Sequence, residues 1–211
     1  RQAGIACRNE RMQEKYFEFE GKRIIYFESN AKGSEKKKRI LLMHGYSFNS
    51  SVWDSFGFVD FLEGIGYAPL ALDIPGFPRS SNKENMQEEK ILELINLLIK
   101  NIVNGKPVLL GASASGYLAL KFAEANSKSI SAVIAVGPVG MDSINLAKIT
   151  VPVLGIWGSE DKVSDPDSGK CKLKSIGETA IIKGARHACY LDKPEEFKKI
   201  VSSFLSSIEA K

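Results

Sequence analysis

Residues 108–117, "VLLGASASGY", end an apolar run at a glycine and follow it with two serines one residue apart. Strand, sharp turn and helix in that order are the context of a nucleophile elbow, which holds a serine exposed at the top of a sheet. The turn is strained, so the residues two before and two after the nucleophile must be small. For Ser113 these are Gly111 and Ser115. For Ser115 they would be Ser113 and Tyr117, and tyrosine is too large. The elbow therefore selects Ser113, with Ser115 as the small residue that lets the turn close. Gly116, without a Cβ, lets the following helix approach the sheet.

A free serine hydroxyl is a poor nucleophile at neutral pH and needs a base. The chain has two histidines. His44 ends a strand in "LLMHGYSF", and His187 follows the last predicted strand in "KGARHACY". The base must come from another element at the same sheet edge, which selects His187. His44 then supports its own loop and relays no proton. An acid must hold the imidazole in one tautomer and stabilise its cation. "LGIWGSEDKVSD" offers Glu160, Asp161 and Asp165. Asp161 is the first choice and Asp165 the second, the bland alternative being acids that solvate a loop. Acyl transfer also needs an oxyanion hole. Its backbone donors are expected at Ala114, just after the nucleophile, and at Tyr46 in "HGYSFNSSVW".

The elements that must position these groups are legible as patterns. "YFEFEGKRIIYFES" (Tyr16–Ser29) alternates around Glu20-Gly21-Lys22 and predicts a β-hairpin. Continuous apolar runs recur in "RILLMHG", Tyr67–Asp73, Pro107–Gly111, Ser131–Gly137, Val151–Gly158 and Thr179–Gly184. Each fits a strand buried on both faces. Between them, "EEKILELINLLIKNI", "GYLALKFAEA" and "KPEEFKKIVSSFLSSI" carry helical periodicity. Strands alternating with helices predict an α/β fold, a mostly parallel central sheet with helices on both faces. The Gly137–Val151 connection holds no long helix pattern, so little or no cap domain is expected. Residues 1–12 read as a polar N-terminal extension, non-native or disordered, and residues 13–211 as a single domain.

Composition excludes several functions. With 29 Lys+Arg against 25 Asp+Glu the net charge is only +4. Its densest basic run, "SEKKKR" (Ser34–Arg39), stands alone without aromatic interleaving and reads as a solvated loop, not a nucleic-acid patch. No apolar run nears the roughly 18 residues of a membrane span. The start of the chain lacks the apolar middle of a signal peptide. Cys7, Cys171 and Cys189 are widely spaced and odd in number, which fits free thiols in a reducing, cytoplasmic compartment. No metal or cofactor is called for.

"LLMHGYSFNSSVW", "LDIPGFPRSS", "LLGASASG", "GIWGSEDKV" and "KGARHACYLDKPEEF" occur in the order and spacing of the α/β-hydrolase superfamily, which the chain resembles from about Tyr16 onward. It looks closest to the small, lid-poor branch called abhydrolase domain fourteen. Chain length, the G-x-S-x-S-G elbow and the stretch after the histidine carry that narrower likeness. The resemblance implies an α/β-hydrolase fold, Ser113 as nucleophile, Asp161 as orienting acid and His187 as base. Tyr46 and Ala114 would supply the oxyanion N–H groups. Pro78 stands where a glycine is common and should stiffen its loop. The activity implied is that of a serine hydrolase, carboxylesterase-like, cleaving small short-acyl esters through an acyl-enzyme. The alternatives are acyl transfer or deacylation involving coenzyme A or acyl-lysine, and a non-catalytic hydrolase-like scaffold. The expected partner is a small-molecule ester or acyl substrate. Tyr46, Phe48, Phe77, Met141, Trp157 and Tyr190 are candidate pocket walls, and Cys189 is expected to be a packed thiol.

Overall fold

Glu20 and Gly21 both take left-handed φ values, 50° and 73°, as the two-residue turn that matches strand twist requires. They join β1 (Met12–Phe19) to β2 (Lys22–Ser29), paired antiparallel from Met12↔Ser29 to Phe19↔Lys22. The hairpin expected from the alternation is therefore present. The structure, a computed structural model, describes residues 12–30, 37–103 and 105–210. The N-terminal extension except Met12, with Cys7, and the first half of the lysine-rich run lie outside the described residues.

The six apolar runs form β3 (Lys38–Met43), β4 (Tyr67–Leu72), β5 (Val108–Ala112), β6 (Ala132–Val136), β7 (Val153–Gly158) and β8 (Glu178–Ile182). With the hairpin they make one eight-stranded sheet in the order β1-β2-β4-β3-β5-β6-β7-β8. β2 pairs antiparallel with β4, and every pair from β4 to β8 is parallel. The helices are α1 (Val52–Ser55), α2 (Phe58–Gly64), α3 (Glu88–Leu98), α4 (Ala114–Asn126), α5 (Pro166–Leu173), α6 (Cys189–Asp192) and α7 (Pro194–Glu209). β3 shows why its run is apolar at every position. Ile40 and Leu42 pack with the buried faces of α1, α2 and α7, while Leu41 and Met43 pack with those of α3, α4 and α5.

The three helices read from periodicity are α3, α4 and α7. The shorter ones escape that reading because four to eight residues give too few turns for a pattern. α5 carries a different signal. The Asp165 side chain accepts from the Asp167 N–H and Pro166 occupies the first turn, two features of a helix start. Between β6 and β7 lie only two single 3-10 turns, Met141–Ser143 and Leu146–Lys148. The expected near-absence of a cap is thus met.

Trp157 corrects one expectation. It lies within β7, fully buried, and not on a loop that lines a pocket. Its indole occupies a slot cleared by two glycines. A Cβ at Gly155 would stand 2.5 Å from the ring, and one at Gly169 would also run into it. The indole N–H donates to Ser164 Oγ at 3.0 Å. Replacing glycine by alanine inside an exposed helix normally gains about 1 kcal/mol. Gly169→Ala should instead lose about 1–3 kcal/mol, because the methyl overpacks against the indole. Urea unfolding measures this, and a stabilised variant would show that the slot has room to spare.

Candidate active site

β5 turns into α4 through a single residue, Ser113, at φ 56° and ψ −117°. Such a conformation costs a non-glycine residue about 1–3 kcal/mol. The neighbours hold it: the Ser113 N–H donates to Val136 O at 2.7 Å, and the Tyr117 N–H to Ser113 O at 3.1 Å. The turn brings the first residues of α4 down on β5. A Cβ on Gly111 would collide with the Ser115 carbonyl, and one on Gly116 would come within 3.2 Å of Pro138. Gly111 and Ser115, the two small residues that flank Ser113, are thus packed against each other.

Ser113 Oγ lies 2.9 Å from His187 Nε2, and His187 Nδ1 lies 2.8 Å from Asp161 Oδ2. A neutral imidazole with its proton on Nδ1 donates to the carboxylate and accepts the serine hydroxyl at Nε2. The other carboxylate oxygen accepts from the Val163 N–H at 2.8 Å and the Ser164 N–H at 3.0 Å. The Asp161 side chain is fully buried. Gly137, at φ 50°, passes so near that a Cβ there would stand 3.1 Å from His187 Cε1 and 3.2 Å from Asp161 Oδ2. The second-choice acid, Asp165, caps α5 instead, and Glu160 is exposed. One contributor escaped the sequence reading. Asp192 binds Arg186 in a fork, at 2.6 Å to the terminal nitrogen and 3.1 Å to Nε, and accepts the Arg186 N–H at 2.8 Å. It thereby closes the loop that presents His187.

The loop after β3 faces the elbow. A Cβ on Gly45 would lie 3.6 Å from Ser113 Cβ. Neither the Tyr46 N–H nor the Ala114 N–H has an acceptor among the described residues. His44 is buried, its Nε2 accepts the Ile74 N–H at 3.0 Å, and its Nδ1–H donates to Gly45 O at 2.9 Å. Burial holds its pKa below the ordinary histidine value, so the ring stays neutral. It braces two loops, as expected, and lies outside the serine–imidazole chain.

Beneath it Asp73 accepts the Ser50 N–H and the Ser81 N–H, each at 2.7 Å. Burial alone would raise its pKa, but the hydrogen bonds from Ser50 and Ser81 outweigh that and hold it below the usual carboxylate range. Asn82 ties the same loop to β2. Its amide donates to Asp73 O at 2.6 Å and Ile25 O at 2.9 Å, and its carbonyl accepts the Ile25 N–H at 2.7 Å.

Of the candidate walls, Tyr46 is 55% exposed and meets Phe77 edge-to-face at 5.2 Å. Phe77 and Phe48 are half-buried. Tyr190 and Met141 are corrections. Tyr190 is buried in α6 against Trp53 and Phe197, and Met141 belongs to the core beside α4. Cys189 is buried, which pushes its thiol up to about 12, while Cys171 is exposed. A cleft of about 370 Å³ lined by Lys37, Lys38, Lys106, Tyr67 and Glu209 opens at the opposite edge, where the parallel strands begin. Among the described residues no group of three His, Cys, Asp or Glu side chains could hold a metal ion. Among them, too, no helix is long and apolar enough to cross a membrane.

The sequence profile of the α/β hydrolase fold matches residues 38–151. The chain belongs to the α/β hydrolase family and is by class a hydrolase. Within the family it lies close to the abhydrolase domain 14 group. It is 33% identical to "Protein ABHD14A" of Danio rerio over 176 residues, covering 81% of this chain and 65% of that protein's length. It is 29% identical to the human "Putative protein-lysine deacylase ABHD14B", covering 90% of this chain and 93% of that protein. A solved structure of a "predicted CIB-like hydrolase" from Thermoplasma acidophilum superposes with a TM-score of 0.83 at 30% identity, covering 92% and 97% of the two chains.

The Asp73 network generates a pH test. Its depressed folded pKa means that its stabilisation is present above the unfolded value, about 3.9, and is lost as pH falls through the folded one. Asp73→Asn should therefore cost about 1–3 kcal/mol at neutral pH. The gap from wild type should close as pH drops below about 4. A pH-independent difference in urea unfolding would show that the charge is not what holds these loops.

Proposed function

We propose that this chain is a serine hydrolase that cleaves small short-acyl esters through an acyl-enzyme. The observation that carries the reading is the hydrogen-bonded chain from Ser113 Oγ through His187 to Asp161, with links of 2.9 and 2.8 Å. In acylation Ser113 Oγ attacks the acyl carbon while His187 Nε2 takes its proton. Asp161 keeps the imidazole in the tautomer that can accept and stabilises the cation that forms. The carbonyl oxygen becomes an oxyanion between the Tyr46 and Ala114 N–H groups. Collapse breaks the acyl–oxygen bond, and the leaving alcohol takes the proton from His187. Water then attacks the acyl-enzyme with His187 as base, releasing the acid and restoring the serine.

The short acyl preference rests on the walls. Trp157, Tyr190 and Met141 are committed to the core, which leaves Tyr46, Phe48 and Phe77 of the candidate walls. With little cap above them, little apolar surface is available to a long chain. Deacylation of acyl-lysine by the same residues is the second reading, favoured by the name that the human relative carries. The free thiols Cys171 and Cys189 fit a reducing compartment such as the cytoplasm.

A fluorophosphonate should label the wild type at Ser113 and leave Ser113→Ala unlabelled; labelling that persists in the variant overturns the nucleophile. Asp161→Asn should lower kcat about 10⁴-fold through loss of the correct tautomer. Asp165→Asn should stay within about threefold, because asparagine caps a helix as well as aspartate does. The reverse ranking would move the acid to Asp165. In a p-nitrophenyl ester series acetate and butyrate should exceed octanoate in kcat/KM. An acetyl-lysine peptide turned over in preference to all of them would select the deacylase reading.

A further inference from the structure

Ser115 stands where the common elbow has glycine, and its side chain is not idle. It is fully buried, and its Oγ–H donates to the His44 carbonyl at 2.6 Å. The bond joins the first turn of α4 to the loop after β3. The ladder between β3 and β5 ends at Met43↔Gly111. Past that ladder, no other hydrogen bond among the described residues links residues 44–50 to residues 112–117.

The two chains so joined carry the two candidate oxyanion donors. The Ala114 N–H immediately precedes Ser115, and the Tyr46 N–H lies two residues beyond His44. On the loop side the constraint passes from one peptide to the next. Ser115 fixes the carbonyl of the His44–Gly45 peptide. The His44 Nδ1–H at 2.9 Å and the Phe48 N–H at 3.0 Å then fix the carbonyl of the Gly45–Tyr46 peptide. A trans peptide is planar, with its N–H opposed to its C=O. Holding Gly45 O therefore aims the Tyr46 N–H.

We propose that Ser115 is a positioning residue that couples the two arms of the oxyanion hole and sets the spacing between the Ala114 and Tyr46 N–H groups. A glycine at this position could close the turn but could not make the link. The inference rests on Ser113 being the acylated nucleophile. Ser115 touches no substrate; it acts through backbone it holds. Its loss should weaken binding of the developing oxyanion more than binding of the uncharged ground state.

The test compares wild type with Ser115→Ala, which removes the donor, and Ser115→Cys, which keeps a weak donor on a somewhat larger atom. Two probes that place an oxyanion in the hole serve without knowledge of the natural substrate: a fluorophosphonate, read as the labelling rate at Ser113, and an alkyl trifluoromethyl ketone, read as its Ki. Deleting an oxyanion donor outright costs about 10²–10³ in rate, so misaligning one in Ser115→Ala should slow labelling about tenfold and raise Ki by a similar factor. Ser115→Cys should fall between. Unfolding midpoints identify folded variants, and Ser115→Cys carries the comparison if Ser115→Ala does not fold. Wild-type labelling rate and Ki in a folded Ser115→Ala, or in Ser115→Cys when it stands in, would overturn the positioning role and leave the nucleophile intact. A wild type not labelled at Ser113 would remove the acyl-enzyme reading and this role with it.

Discussion

At Ser113 the chain reverses from strand to helix in one residue, and that residue pays in backbone strain for exposing its side chain. φ is 56° in a residue that carries a Cβ, a conformation that persists only where its surroundings over-determine it. The surroundings are visible. The central position of β5 supplies a rigid start, the Val136 carbonyl accepts the Ser113 N–H, and α4 is pressed so close that Gly111 has no space for a methyl group. The same closeness brings Gly116 against Pro138 and Gly137 against the His187–Asp161 pair. One steric demand thus sets the glycines of two strand ends and the distance between the serine and its partners.

The loops around the elbow are held by a second kind of force. The sheet is fastened by apolar burial, but its carboxyl edge is fastened by buried polar groups that are satisfied mainly by backbone. Asp73 gathers two N–H groups, Asp161 two more, and Asn82 bonds to both Asp73 and Ile25. Ser164 links three pieces: it accepts from Trp157, donates to the Pro138 carbonyl at 2.7 Å, and gives its own N–H to Asp161. In a low-dielectric setting such groups are strongly attractive when paired and costly when not. That asymmetry holds irregular loops to one geometry where strands and helices could not reach.

Much of this was legible in the sequence, and the remainder was hidden for physical reasons. A buried parallel strand must be apolar at every position, so all six runs were readable, and the elbow could be assigned because tyrosine cannot replace a small residue inside it. The acid was narrower. Glu160, Asp161 and Asp165 sit within six residues, and composition does not distinguish a carboxylate turned inward from one that caps a helix. Yet Asp165 was followed by Pro166, a helix-start signal that favours the capping role. The aromatic residues misled where side-chain direction mattered. Trp157 belongs to a strand, and whether it faces slot or solvent depends on Gly169, distant in the fold's construction. Asn82 and Asp73 have no signature of their own, because their partners are mainly backbone groups that any residue could provide, and Asp192 meets the Arg186 side chain only through the shape of the loop between them.

The connection between β6 and β7, two short 3-10 turns, also bears on where such a protein could work. Hydrolases with a mobile cover divide their time between shut and open forms, and a lipid surface or detergent raises turnover by favouring the open one. A ligand shifts an equilibrium only by its differential affinity for two states. Among the described residues that connection holds nothing long enough to form such a cover.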